Sequence, residues 1–317
     1  MPLHGRTLRP VLKQRLIMGF TLIAALIGAL WADEFLAAHA APAWVDRIAP
    51  GSAPNWPRGL MMLLIGLLVV PLAAREMGAM FHANGVKASR RWMAFAAVAG
   101  LLVCAFVPDR MNPLHAVALV AAVATGVLVG SLIWHIRDKT LHGATAAVGA
   151  AMFAFVYLGL MFGFLLALRR EHSAWVVAGV LLITKSCDTG AYFTGRSIGR
   201  HKLIPWLSPG KTWEGLFGGI ITAALCAMGG LWLYRHYVGA TGLGAMPWAY
   251  AALVGGLFAI TGQAGDLLES VLKRDAGVKD SGHTLPGMGG ILDVLDSILL
   301  TAPLAFWLLT GWRDNSP

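Results

Sequence analysis

Long uncharged, apolar runs recur from one end of the chain to the other: Leu16–Ala32, Leu60–Ala74, Trp92–Val107, Met111–Trp134, Thr140–Leu168, Gly215–Tyr234, His236–Gly265 and Ser297–Trp312. Each is near or above the length a helix needs to cross bilayer hydrocarbon, helped by flanking residues. A ninth run, from about His172 to Gly195, is broken by Lys185 and Asp188. The pattern predicts an all-α, polytopic integral membrane protein with about nine transmembrane helices. About five spans fall in an N-terminal region, residues 1–170, and about four in a C-terminal region, residues 171–317. Nine helices of about 20 residues leave only about 14 residues for each loop. No water-soluble catalytic domain fits, so any chemistry sits on helix ends and short loops, which favours a lipid, a permeant solute or an ion.

Composition agrees: 57% of the residues are hydrophobic and 13% charged, where soluble domains carry about 25% charged residues. The net charge of +9 would suggest nucleic acid in a soluble chain. Here the bilayer accounts for it, since basic residues collect in cytoplasmic loops and attract anionic headgroups and nucleotide phosphates. With the N-terminus in the cytoplasm, 16 basic residues fall on the inner side: Arg6, Arg9, Lys13, Arg15, Lys87, Arg90, Arg91, Arg137, Lys139, Arg196, Arg200, Lys202, Lys211, Lys273, Arg274 and Lys279. Only six fall outside: Arg47, Arg58, Arg110, Arg169, Arg170 and Arg313. The positive-inside rule selects this orientation. The first run reads as a retained signal anchor; cleavage after Ala38-His39-Ala40 is the alternative, and 17 apolar residues are long for a signal peptide core. The Pro-rich stretch Pro42–Pro57 is the one loop long enough for an irregular extracytoplasmic segment. Cys104, Cys187 and Cys226 are far apart in apolar segments, so neither a disulfide framework nor a zinc site is supported.

Acidic residues concentrate late in the chain, where Asp188, Glu214, Asp266, Glu269, Asp275, Asp280, Asp293 and Asp296 make up half of the 16. Charged groups beside membrane helices pair, line a cavity or bind an ion. If 262–274 is helical, Asp266, Glu269, Ser270 and Lys273 share one face that cannot point at lipid. Asp293 and Asp296, three apart at the start of the last span, repel unless a cation lies between them. Oxygen-only ligands suggest Mg2+ or a similar hard cation. The basic stretch Lys273-Arg274-Asp275-Ala276-Gly277-Val278-Lys279-Asp280 and the turn Pro286-Gly287-Met288-Gly289-Gly290 suit a metal-bound polyphosphate, approached by exposed backbone N–H groups.

A second constellation runs from Asp188-Thr189-Gly190-Ala191-Tyr192 through Gly195–Lys202 to Ser208-Pro209-Gly210-Lys211-Thr212-Trp213-Glu214-Gly215. Two P-loop look-alikes fail here: Gly210-Lys211-Thr212 has Pro205 where a glycine is needed, and Gly195 is followed by Arg196-Ser197 where lysine is needed.

These motifs, with Gly265-Asp266-Leu267-Leu268-Glu269-Ser270 and the ordered set Ser270, Lys273, Arg274, Lys279, Asp280, Gly282, Pro286, Gly287, Gly289, Gly290, Asp293 and Asp296, resemble the phosphatidate cytidylyltransferase (CDP-diacylglycerol synthase) family. The resemblance is strong from 185 to 300; before that it is compositional apart from Arg75-Glu76. It implies an inner-membrane nucleotidyltransferase that makes CDP-diacylglycerol and pyrophosphate from CTP and phosphatidate. Mg2+ is the implied cofactor, with a monovalent cation such as K+ beside it, and a homodimer is compatible with the family. Metal-binding residues would fall on Asp266, Asp293 and Asp296, with Lys273 joining them as catalytic. Substrate-binding residues would fall on Asp188, Ser208, Lys211, Thr212, Glu214, Ser270, Arg274, Lys279 and Asp280.

Two positions depart from the family pattern, which has His where this chain has Met288 and Arg where it has Val294. Their loss from the centre of the signature points to an altered substrate, slow turnover or a non-catalytic paralogue. A related enzyme acting on another lipid phosphate is the nearest alternative. A transporter is the alternative of a different class, disfavoured because this chain groups its charge in cytoplasmic loops and adjoining helix ends rather than at the midplane.

Overall fold

The computed structural model describes residues 8–42, 45, 55–106, 112–137, 139 and 142–315. Arg6, Arg47 and Arg110 of the charge asymmetry, most of the Pro42–Pro57 stretch, and the run ends Val107, Met111 and Thr140 lie outside them. So do the side chains of Arg9, Lys13 and Arg313.

Nine long helices occur among the described residues: α1 (Leu8–Ala37), α2 (Leu60–Ala83), α3 (Arg90–Phe106), α4 (Pro113–Ile136), α5 (Ala144–Glu171), α6 (Ala174–Ile198), α7 (Trp213–Tyr237), α8 (Trp248–Asp275) and α9 (Leu292–Asn315). Eight are long and apolar enough to span a bilayer; α3, with 17 residues, is shorter. Leu16, Phe20 and Ile23 on α1, Leu182 on α6 and Phe217, Ile221 and Leu225 on α7 are exposed. Such faces have a use only against lipid or another apolar surface. The all-α polytopic membrane fold expected from the apolar runs is therefore the fold observed.

Three boundaries differ from that expectation. The run broken in hydropathy by Lys185 and Asp188 is one uninterrupted helix, α6, on which the two charges lie 3.9 Å apart. The run His236–Gly265 is divided: α7 stops at Tyr237, a short 3-10 turn follows at Gly242–Ala245, and α8 starts at Trp248. Gly239 and Gly242 sit at φ 125° and 57°, which breaks a helix without adding any charge that hydropathy could register. Between α6 and α7, where a loop was expected, β1 (Lys202–Ile204) and β2 (Ser208–Thr212) form an antiparallel hairpin, with Lys202 opposite Thr212 and Ile204 opposite Ser208.

The chain divides into two compact units. The first contains Met1–Leu160 and Ala276–Val294. Within it the buried Asp33 of α1 accepts from Gly59 N (3.1 Å) and Met61 N (2.8 Å), satisfying N–H groups at the start of α2 that have no partner within their own helix. Asn112 caps α4 through Leu114 N at 2.9 Å, with Pro113 in the first turn. Ala96, Val127, Ala151 and Phe155 join α3, α4 and α5 in a buried core, and α5 passes through a π-helical stretch at Ala154–Leu160.

The second unit contains Met161–Asp275 and Leu295–Pro317. Its core joins α6, α7 and α8 through Cys187, Ala223 and Ala259, packed by Ile183 and Ile220. Such small side chains let membrane helices approach closely, so that dispersion can replace the hydrophobic drive missing in lipid. Tyr250 of α8 reaches α9 by donating its hydroxyl to Leu308 O at 3.2 Å.

Candidate active site

In the second unit, α8 carries Asp266, Glu269 and Lys273 at helical spacing, and α9 carries Asp296 and Ser297. What brings the two helices together is Gly265: a Cβ there would run into Asp296 O and lie 3.1 Å from Ser297 Cα. At this point backbone packs on backbone, and the carboxylates on either side converge. One oxygen each from Asp266, Glu269 and Asp296 lies within 4.8 Å of the others. Glu269 is fully buried and Asp296 only 6% exposed.

Three carboxylates this close repel unless cations stand among them. The chain supplies a lysine to each. Lys211 Nζ is 2.6 Å from Asp266 Oδ2, Lys273 Nζ is 2.7 Å from Glu269 Oε2, and Lys185 Nζ is 3.5 Å from Asp296 Oδ1 while donating to Ser297 Oγ at 2.6 Å. Lys185 also faces Asp188, whose Oδ1 accepts from Gln263 Nε2 at 3.1 Å. An all-oxygen donor set of this compactness is chemically suited to a hard divalent cation.

The hairpin delivers Lys211. Thr212 ends β2 and caps α7, its hydroxyl accepting from Gly215 N at 3.1 Å. The Glu214 carboxylate accepts from His201 N (3.2 Å) and lies 2.6 Å from His201 Nδ1, tying the two ends of the hairpin together. Ser208 starts β2 opposite Ile204. Ser270 is half-buried on α8 one residue after Glu269, and Arg274 is exposed at the end of that helix.

Asp293, Lys279 and Asp280 belong to the first unit. Lys279 and Asp280 are exposed. Asp293 Oδ2 accepts from Ser281 N (2.9 Å), Ser281 Oγ (2.8 Å) and Gly290 N (2.7 Å). Several amides of the Gly-rich turn, expected to face a polyphosphate, are already bonded within the protein. Met288 N and Gly289 N donate to Leu285 O and Gly290 N to Asp293; just past the turn, Ile291 N and Leu292 N donate to Glu76. The half-buried Met288 and Val294 lie in and just after this turn.

Of the metal-binding set implied by the resemblance, the structure joins Asp266 and Asp296 within one cluster and adds Glu269. Its signal was present as the i+3 neighbour of Asp266 on the polar face. Lys185 stands out in the sequence as a charge within an apolar run but belongs to no motif that assigns it to the site, while Gln263 and Ser297 are indistinguishable there from ordinary helix-packing polar groups.

A model of the cytidylyltransferase family matches residues 55–312. The chain belongs to that family. Among its curated relatives, a phosphatidate cytidylyltransferase of Staphylococcus epidermidis is 33% identical over 257 residues, covering 79% of this chain and 90% of that protein. The phosphatidate cytidylyltransferase of Bacillus subtilis is 38% identical over 164 residues, covering 51% of this chain and 58% of the relative. The uncharacterized protein YnbB of Escherichia coli is 43% identical over 139 residues, 44% of each chain. The matched stretch thus spans about half the length of the latter two relatives. Family membership extends across both units, since 55–312 takes in parts of each.

Proposed function

We propose that this protein is a phosphatidate cytidylyltransferase of the inner membrane, with its N-terminus in the cytoplasm, and that it uses CTP, phosphatidate and Mg2+. The observation that carries the reading is the cluster of Asp266, Glu269 and Asp296, each paired with its own lysine, in a member of the cytidylyltransferase family.

In the reaction an anionic phosphate oxygen of phosphatidate attacks the α-phosphorus of CTP. A new P–O–P linkage forms, the bond from the α-phosphorus to its bridging oxygen breaks, and pyrophosphate leaves. The nucleophile is already ionised at neutral pH, so no general base is required. Asp266, Glu269 and Asp296 would hold Mg2+, with Asp293 entering this set through the sequence resemblance alone. When bound, the metal offsets the negative charge of the phosphate oxygens. Lys185, Lys211 and Lys273, whose ammonium groups lie against the clustered carboxylates, would also face the phosphate oxygens of a substrate bound beside them. Ammonium groups so placed stabilise charge developing on a leaving group. A K+ ion beside Mg2+ belongs to the same reading.

Met288 and Val294 favour a second reading, in which the cytidylyl acceptor is a different lipid phosphate. Purified protein incubated with CTP, Mg2+ and either phosphatidate or a polyprenyl phosphate distinguishes the two. CDP-diacylglycerol is the expected product; product from the polyprenyl phosphate alone transfers the assignment to the second reading, and none from either refutes both.

A further inference from the structure

Glu76 lies on α2, past the end of the apolar run that predicts this helix, and is 8% exposed. A buried ionised carboxylate is costly unless its lone pairs are answered by donors. Here they are. Oε1 accepts from Thr284 Oγ1 and from Ile291 N at 3.1 Å; Oε2 accepts from Leu292 N at 3.0 Å and has Ser281 Oγ at 3.3 Å. A carboxylate offers about four lone-pair sites; three are taken by Thr284, Ile291 and Leu292, and the Ser281 hydroxyl lies against the carboxylate at longer range.

The donors all come from one segment, 281–292. Leu292 opens α9, and Ile291 before it has no side chain that could cap the helix. Glu76 does that from a distant helix: it accepts N–H groups at the positive end of α9, where negative charge is stabilised. The segment is shaped to receive it. A Cβ on Gly290 would collide with Glu76 Oε2 and Ser281 Oγ, and one on Gly282 would lie 2.7 Å from Glu76 Oε1. Ser281 then connects two carboxylates. Its single hydroxyl proton goes to Asp293 Oδ2 at 2.8 Å, with Glu76 Oε2 the longer branch at 3.3 Å.

We propose that Glu76 is a positioning residue for cytidylyl transfer: it clamps the segment 281–292 and thereby fixes the orientation of the Asp293 carboxylate. The assignment rests on the function proposed above. In this role Glu76 acts through Ser281, Gly290 and the first turn of α9.

Glu76→Gln tests it, because the amide keeps the shape but sets an NH2 donor against groups that are themselves donors. Hydrogen–deuterium exchange is followed in the wild type, Glu76→Gln and the milder Thr284→Val, alongside kcat, KM for CTP and the Mg2+ concentration for half-maximal rate. Amides of 281–292 in Glu76→Gln are expected to exchange about tenfold faster while the rest of α2 is unchanged. Turnover is expected to fall about 100-fold with KM for CTP within about threefold, as for a misplaced group rather than a lost substrate contact. The half-maximal Mg2+ concentration should rise, and Glu76→Asp should recover part of the turnover. Should Glu76→Gln fail to fold, Thr284→Val is expected to show faster exchange and a higher Mg2+ requirement to a lesser degree. Unaltered exchange over 281–292, or faster exchange with wild-type kcat and Mg2+ dependence, overturns the role of Glu76. Absence of cytidylyl transfer in the wild type instead overturns the functional reading beneath it.

Discussion

The ammonium of Lys211 lies 2.6 Å from Asp266 Oδ2, so the end of the β-hairpin is fastened to the carboxylate face of α8. Both partners are only partly exposed, at 18% and 32% of their side chains, which spares the pair some of the solvent screening that makes surface ion pairs weak. The pairing places a cation from the hairpin directly on a carboxylate that would bind metal. Thr212 and Glu214, on either side of Trp213, hold the hairpin in that position through Gly215 and His201.

Replacing Lys211 by Gln is expected to lower kcat by about 100-fold, the loss associated with one preorganised donor to a developing oxyanion. Thermal stability in detergent should fall modestly, because Asp266 loses the cation that offsets its repulsion from Glu269 and Asp296 while the hairpin keeps its cap and its strand pairing. Steady-state kinetics with CTP and phosphatidate check this, and a variant with near-wild-type kcat would place Lys211 outside the reaction.

Asp266→Asn and Asp296→Asn should each abolish turnover while leaving a folded protein, and excess EDTA should do the same to the wild type. Glu269→Gln is expected to behave likewise, in line with its place in the cluster. Mn2+ binding followed by electron paramagnetic resonance gives a readout independent of activity. Undiminished Mn2+ binding in Asp266→Asn and Asp296→Asn would remove these carboxylates from any metal site.

Gly265→Ala adds one methyl group where the backbone of α9 already sits. Backbone cannot rotate away as a side chain can, so the two helices must separate, at a cost of about 1–3 kcal/mol as in other overpacked cores. A lower Tm in detergent and weaker Mn2+ binding are expected together. An unchanged Tm would show that the helices accommodate the methyl group freely.

Orientation is open to direct measurement. In a background lacking Cys104, Cys187 and Cys226, a cysteine at Ser197 should react with a membrane-impermeant maleimide only from the cytoplasmic side. One at Thr241 should react only from the opposite side. Both positions are exposed, and labelling of the two from one face contradicts the orientation drawn from the basic residues.

Hydropathy alone is enough to determine that this chain is a bundle of membrane helices, because in lipid a segment must satisfy its own backbone polar groups and a long apolar run has no other spanning structure open to it. The same one-dimensional information placed Asp266, Glu269 and Lys273 on one helical face, since 3.6-residue periodicity is a local property. It did not reach the division of the run from His236 to Gly265, where glycine torsions rather than charge end a helix. Nor did it reach the pairing of Lys185 with Asp296 and Ser297, whose partners lie 111 and 112 residues away. Glu76 makes the point most clearly. In the sequence it is one charge beside Arg75 at the end of an apolar run; in the fold it accepts from residues 205 to 216 positions later and caps a helix that has no cap of its own. A carboxylate's ability to accept hydrogen bonds is written in its residue type, but which donors answer it depends on how distant helices and loops pack, and only the tertiary structure decides that.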